Sequence, residues 1–193
     1  MRRISTALTV LAAISAALLP ATSAVGTDRP TVETAAAPNP NFTVHCFTTI
    51  SGVQQSESWL FQPGPTTAGR TVSATHRTSY RGCSGSASST LNQNAPVIWD
   101  STCLDPFPGF STETITYTWD TGDTTTVEFR QVVATREVSG NLTRTRVKSN
   151  GVVTAGSGLG KTVNRSTLFD PVGSGCNRDT AEVFGATNDF SIA

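Results

Sequence analysis

Thr71-Val72-Ser73-Ala74-Thr75-His76-Arg77-Thr78-Ser79-Tyr80 repeats with a period of two, and that period decides the fold class. Val72, Ala74, His76, Thr78 and Tyr80 fall on one side of an extended chain, and Thr71, Ser73, Thr75, Arg77 and Ser79 on the other. Successive side chains of a strand point to opposite faces, so this pattern sets one residue in a core and the next in solvent. Thr on the outer side adds β-branching without adding much apolar surface.

The same alternation extends in both directions. Phe42, Val44, Cys46, Thr48 and Ile50 alternate with Thr43, His45, Phe47 and Thr49. Ile115, Tyr117 and Trp119 alternate with Thr114, Thr116 and Thr118; Val127, Phe129 and Val133 continue the pattern after a tight turn at Asp120-Thr121-Gly122-Asp123. Shorter strands are expected at 58–62, 97–103, 142–148, 161–168, 181–184 and 189–192, separated by Gly, Pro, Asn and Asp. No stretch has a sustained helical period. The expected fold is all-β: an antiparallel two-sheet β-sandwich of about nine or ten strands, immunoglobulin-like or jelly-roll-like, with two disulfides.

Composition agrees. Charged residues form 15% of the 193-residue chain, against about 25% in an average soluble domain. Exposed helix faces are usually built from Glu, Lys, Gln and Arg, so a helical protein is disfavoured. Lys plus Arg and Asp plus Glu both number 14, and this balance argues against a nucleic-acid binder.

At the N-terminus, Arg2 and Arg3 precede an apolar run from Ile4 to Leu19, then Pro20 and the small residues Thr22-Ser23-Ala24. This is the anatomy of a secretory signal peptide, expected over 1–24, and it implies a secreted protein with no membrane attachment after cleavage. Residues 25–40 are polar and rich in Ala and Pro, a flexible tail or linker; a single domain is expected over 41–193. Cys46, Cys83, Cys103 and Cys176 form an even set suited to an oxidising compartment. Four cysteines allow three pairings; the pairing expected here is Cys46–Cys83 with Cys103–Cys176. A zinc site would need closely paired Cys or His ligands, which the spacing lacks, so no metal or cofactor is expected.

The pieces Thr43-Val44-His45-Cys46, Gly82-Cys83-Ser84-Gly85, Thr102-Cys103, Thr116-Tyr117-Thr118-Trp119-Asp120-Thr121-Gly122 and the late Cys176 followed by Phe184-Gly185 share a layout. In that layout the chain resembles a family of small exported actinobacterial proteins, and departs from it at 150–160, which is richer in Gly. The resemblance covers most of the chain beyond residue 40. It implies a β-sandwich and no established activity.

Several motifs invite chemistry. Ala155-Gly156-Ser157-Gly158-Leu159-Gly160-Lys161-Thr162 has a P-loop outline, but a phosphate loop must open a helix, and the residues that follow read as a strand. Asp120-Thr121-Gly122 is the tripeptide of aspartic proteases, whose mechanism needs two such carboxylates; one copy exists, and a hairpin turn explains it. His45 falls on the outer face of its strand and His76 on the inner one; with Asp100 or Asp105 either could enter a Ser–His–Asp set, although no nucleophile elbow is present. Arg144, Arg146 and Lys148 alternate along one strand as a basic stripe. Leu142 shares their parity, which predicts a bulge between them. Among the tryptophans, Trp99 and Trp119 share parity with core residues, leaving Trp59 as the candidate exposed aromatic. Asn41, Asn141 and Asn164 begin glycosylation-type tripeptides.

The function these readings favour is a non-catalytic extracellular binding or surface-interaction module. Its candidate ligand-binding residues are Trp59, Arg144, Arg146 and Lys148, and its partner a glycan, a cell-wall polymer or another protein. The alternatives are a small secreted hydrolase using His76 or His45, and a protease inhibitor presenting a loop near Cys83 or Cys176.

Overall fold

A computed structural model describes residues 37–47, 55–107 and 112–193. The expected signal peptide, the expected tail up to residue 36, and the continuation of the first strand through Thr48 and Ile50 lie outside the described residues.

The strands are β1 (Val44–Phe47), β2 (Gln55–Gln62), β3 (Arg70–Arg81), β4 (Ser84–Gly85), β5 (Ser89–Gln93), β6 (Val97–Ser101), β7 (Glu113–Thr118), β8 (Thr124–Ser139), β9 (Leu142–Gly156), β10 (Thr162–Phe169) and β11 (Ala181–Ile192). A 3-10 turn at Gly173–Gly175 precedes β11. All pairings between these strands are antiparallel.

The all-β, antiparallel expectation holds, but the pairing does not divide into two sheets. One eleven-stranded sheet runs in the order β5-β3-β2-β11-β10-β9-β8-β7, with β1, β4 and β6 joined at its side. Its end strands approach each other through a bridge between Thr90 and Trp119. The Asp120 amide donates to the Ser89 carbonyl at 3.0 Å, and Thr90 Oγ1 to the Thr118 carbonyl at 2.7 Å. The sheet is therefore nearly a barrel: its twist brings the edges together, and curling removes exposed edge along that seam.

Parity decides which side chains fill the interior. On β3, Val72, Ala74, His76, Thr78 and Tyr80 are all buried, as the alternation requires. On β8 the register shifts between Phe129 and Gln131. Such a bulge moves later residues to the opposite face, so Val132 is buried while Val133, expected inside, is 58% exposed. No bulge lies between Leu142 and Lys148, contrary to expectation; the β8–β9 register is continuous there, and Leu142 is simply exposed on the outer side. The 181–184 and 189–192 segments belong to one strand, β11, interrupted by a register shift opposite Ser166 and Thr167.

The P-loop-like stretch is the turn from β9 into β10, and strand follows it. Asp120 sits in the turn after β7, where its carboxylate accepts from the Ser88 amide at 3.1 Å. The structure joins Cys46 to Cys83 and Cys103 to Cys176. No helix among the described residues is long and apolar enough to cross a membrane.

Candidate functional site: a buried ionic network and a polar outer face

Inside the barrel, four charged side chains from four strands converge: Glu57 of β2, His76 of β3, Glu113 of β7 and Arg165 of β10, each at most 3% exposed. Each is at an inward position of its strand, in step with Phe61, Val72, Ile115 and Val163. His76 Nδ1 lies 2.7 Å from Glu113 Oε1, and Nε2 lies 3.0 Å from Glu57 Oε2. Arg165 Nη2 donates to Glu113 Oε2 at 2.7 Å and to Ser149 Oγ at 3.0 Å. Glu57 Oε1 also accepts from the Tyr80 hydroxyl and, at 2.8 Å, from Thr187 Oγ1.

These contacts fix the protonation states. An ionised carboxylate can only accept, so an imidazole between two of them must carry a proton on each nitrogen. His76 is then an imidazolium, and the quartet holds two positive and two negative charges. Burial alone would push His76 down; the charge of and hydrogen bond to Glu113, with those of Glu57, outweigh it and hold the imidazolium above its ordinary range. Burial likewise favours neutral carboxyls, but Arg165 and His76 hold Glu57 well below the usual carboxylate range and lower Glu113 as well. Burial opposes the charge on Arg165, and Glu113 and Glu57 hold it charged, well above its ordinary value.

Aromatic rings flank the network. Trp59 stacks on His76 with centroids 4.2 Å apart and planes at 6°, and it leads into a cluster containing Trp99, Phe61 and Phe107. Tyr80 leads into a second cluster with Tyr117 and Phe190. Arg165 Nε and Nη1 make no hydrogen bond among the described residues; the Phe129 ring, 4.3 Å from the guanidinium carbon, and Glu57 Oε2, 4.0 Å from Nη1, supply electrostatic stabilisation instead. The groups best suited to acid–base chemistry are thus saturated with partners and shielded from solvent.

The outer face is different in kind. Cross-strand neighbours align Asn150 of β9, Asn164 of β10, Ser191 of β11 and His45 of β1 in one row, and Lys148, Ser166, Asp189 and Phe47 in the next. The bulge in β11 turns Thr187 inward to Glu57 and leaves both Asn188 and Asp189 outside. An open groove of about 520 Å³ results, lined in part by Lys148, Asn150, Asn164, Ser166 and Asn188.

The sequence-derived candidates are distributed unevenly. Trp59, the candidate exposed aromatic, is 2% exposed and belongs to the interior, in step with Glu57 and Phe61 on β2, which removes it from the candidate ligand-binding residues. Arg144, Arg146 and Lys148 do share the outer face, but not as a free basic stripe. Arg144 Nε donates to Asp170 Oδ1 at 2.9 Å, and Arg146 binds Glu137 through two nitrogens at 2.5 and 3.1 Å. Lys148 makes no salt bridge among the described residues, although its charge adds to the pull that lowers Glu137 behind the Arg146 hydrogen bond.

Neither histidine meets the aspartates considered for it. His76 is held by glutamates, His45 Nε2 faces Asp189 at 3.1 Å, and Asp100 accepts from Thr71 at 2.6 Å. No group of three or more His, Cys, Asp or Glu side chains is placed to hold a metal ion among the described residues.

Sequence reading missed Glu57, Glu113 and Arg165, whose inward parity was the available signal. It read Asn164 and Ser166 only as ends of a glycosylation-type tripeptide and missed Asn150, because the three become neighbours of Lys148 only through strand pairing. Comparison with protein-family models, with curated proteins and with solved structures finds no match.

Proposed function

We propose that this chain is a non-catalytic extracellular binding module, and that it takes a hydroxyl-rich polymer, a glycan of a cell wall or surface, on the outer face of β9, β10 and β11. The observation that carries this reading is the groove in which Lys148, Asn150, Asn164, Ser166, Asn188 and Asp189 lie beside Arg146 and Arg165. Amide, hydroxyl and charged side chains there offer both donors and acceptors, which is what recognition of a polyol needs. Rigid strands hold them, so little conformational entropy is lost on binding. The sealed state of the interior network supports binding over hydrolysis, because a general acid or base must reach its substrate. The leader-like segment and the two disulfides support an extracellular setting. Membership of the exported actinobacterial family belongs to the same proposal.

The test is retention of the purified chain on insoluble cell-wall polysaccharide. Wild type is expected in the bound fraction, and the Lys148→Ala/Asn164→Ala double variant to bind at least about tenfold more weakly, from loss of hydrogen bonds of order 1 kcal/mol each. Equal retention of both proteins would remove the groove from the site, and no retention of wild type would remove the function.

A further inference from the structure

Resting on that reading, we infer that the outer face continues into a second, aromatic subsite at Phe184, and that the polymer it takes is electrically neutral. Among the described residues the exposed aromatic rings are Phe47, at 43%, and Phe184, at 58%. Phe47 packs against the His45 ring at 5.1 Å, whereas Phe184 stands on the outer side of β11 beside Gly185 and Ala186. Those two small residues, with Leu168 and Ser56, floor a hollow of about 410 Å³ bounded by Arg144 and Asp170. An exposed ring above a low, flat floor presents the apolar surface on which the C–H face of a pyranose can lie, and the polar groups around it meet the hydroxyl rim.

The charges beside the ring identify the class of polymer. Arg144 is bonded to Asp170 on one side. On the other, Arg77 Nη1 is 3.7 Å from Glu182 Oε1, which also accepts from Ser58 Oγ at 3.0 Å. Farther along the face Arg146 is held by Glu137, and Lys148 and Asp189, of opposite charge, flank Ser166 in one cross-strand row. Beside the ring and the groove, cations and carboxylates therefore offset one another in place. Such an array gives fixed hydrogen-bonding groups with little net field. A polyanion would find its cations already occupied, whereas a neutral sugar needs directional donors and acceptors.

Reach supports a chain over a single sugar. The groove at Asn150 and Asn164 and the hollow at Phe184 and Arg144 both open on the outer side of β9 and its neighbours. Asn150 and Arg144 are six residues apart on β9, about 20 Å at roughly 3.4 Å per residue. A ligand touching both must be extended, and its binding energy is the sum of several weak contacts.

Affinity electrophoresis of the full chain through gels containing a soluble neutral polysaccharide (dextran, xylan or mannan) or an acidic one (hyaluronan or polygalacturonate) tests this. Retardation is expected in at least one neutral gel, unchanged when salt is raised to about 0.5 M, where surface charge is screened. Phe184→Ala should weaken it about tenfold, the scale of one lost aromatic contact with its buried area, without moving the unfolding midpoint. Shifts of the Phe184 ring signals in the wild-type protein, on titration with the retarding polysaccharide, provide a reading independent of the variant. Retardation confined to acidic gels and abolished by salt would overturn the neutral class while leaving a binding function. Wild-type behaviour of Phe184→Ala together with unmoved ring signals would remove the subsite. No retardation in any gel would sink the binding reading beneath both.

Discussion

His76 carries its second proton because two carboxylates reach its ring nitrogens, and the free energy of that arrangement depends on pH in a definite direction. The imidazolium's folded-state range is raised, so its contribution is complete below the unfolded value of about 6.5 and is lost as pH rises through the folded one. Glu57 and Glu113 are depressed; their contribution is complete above about 4.3 and is lost as pH falls through their folded values. Stability should therefore be greatest between about pH 4.3 and about pH 6.5 and decline on both sides. Glu113→Gln removes one carboxylate from both His76 and Arg165, leaving buried charge uncompensated, which costs about 3–5 kcal/mol. It should also bring the alkaline decline to lower pH, because His76 loses the nearer of its two counter-charges. Urea unfolding of wild type and Glu113→Gln across pH 5–10 checks both effects; a superimposable alkaline limb would mean that His76 is not held by Glu113. The acidic and basic partners were legible one at a time from parity, since Glu57, Glu113 and Arg165 each fall in step with apolar neighbours. Their meeting was not, because Glu57 and Arg165 are more than a hundred residues apart in the chain.

Strand register, more than strand location, is where local sequence loses information. Alternation located β3, β7 and the first half of β8, yet Val133 was placed on the wrong face because a bulge leaves no mark in the hydrophobic pattern. The β11 bulge is a comparable case: it sends Thr187 to Glu57 and frees Asn188 and Asp189 for the groove. A few residues away, Gly185 allows the close approach of β10. A Cβ there would lie 2.5 Å from Phe169 Cδ1 and 2.8 Å from Thr167 Cγ2. Gly185→Ala should destabilise by about 1–3 kcal/mol through overpacking. Adding Phe169→Ala, which removes the struck ring atoms, should cost less in the Gly185→Ala background than alone, the sign of direct coupling. Thermal unfolding of the two single variants and the double variant measures it; strict additivity would show that the strand pair absorbs the methyl elsewhere.

For the whole molecule, two cross-links limit the unfolded chain. Cys46–Cys83 closes 37 residues and Cys103–Cys176 closes 73. In the chain-entropy account each contributes about 4 kcal/mol, and doubling the loop adds about 0.6 kcal/mol. Replacing each pair by Ser should lower unfolding free energy accordingly, with Cys103→Ser/Cys176→Ser the weaker variant; the reverse order in urea unfolding would show that native-state strain or residual unfolded structure dominates. The sequence alone determined that the chain is built of strands with one face buried, because a two-residue period is a property of consecutive side chains and needs no partner to be read. It also placed the cysteines where two bridges were expected. Whether the strands form two sheets or one that nearly closes is set by which distant edges meet, and alternation is the same in both. Tertiary structure likewise decided that Trp59 lies inside, that the arginines of the basic stripe are neutralised, and that four charges share the interior, since each depends on groups brought together across strands.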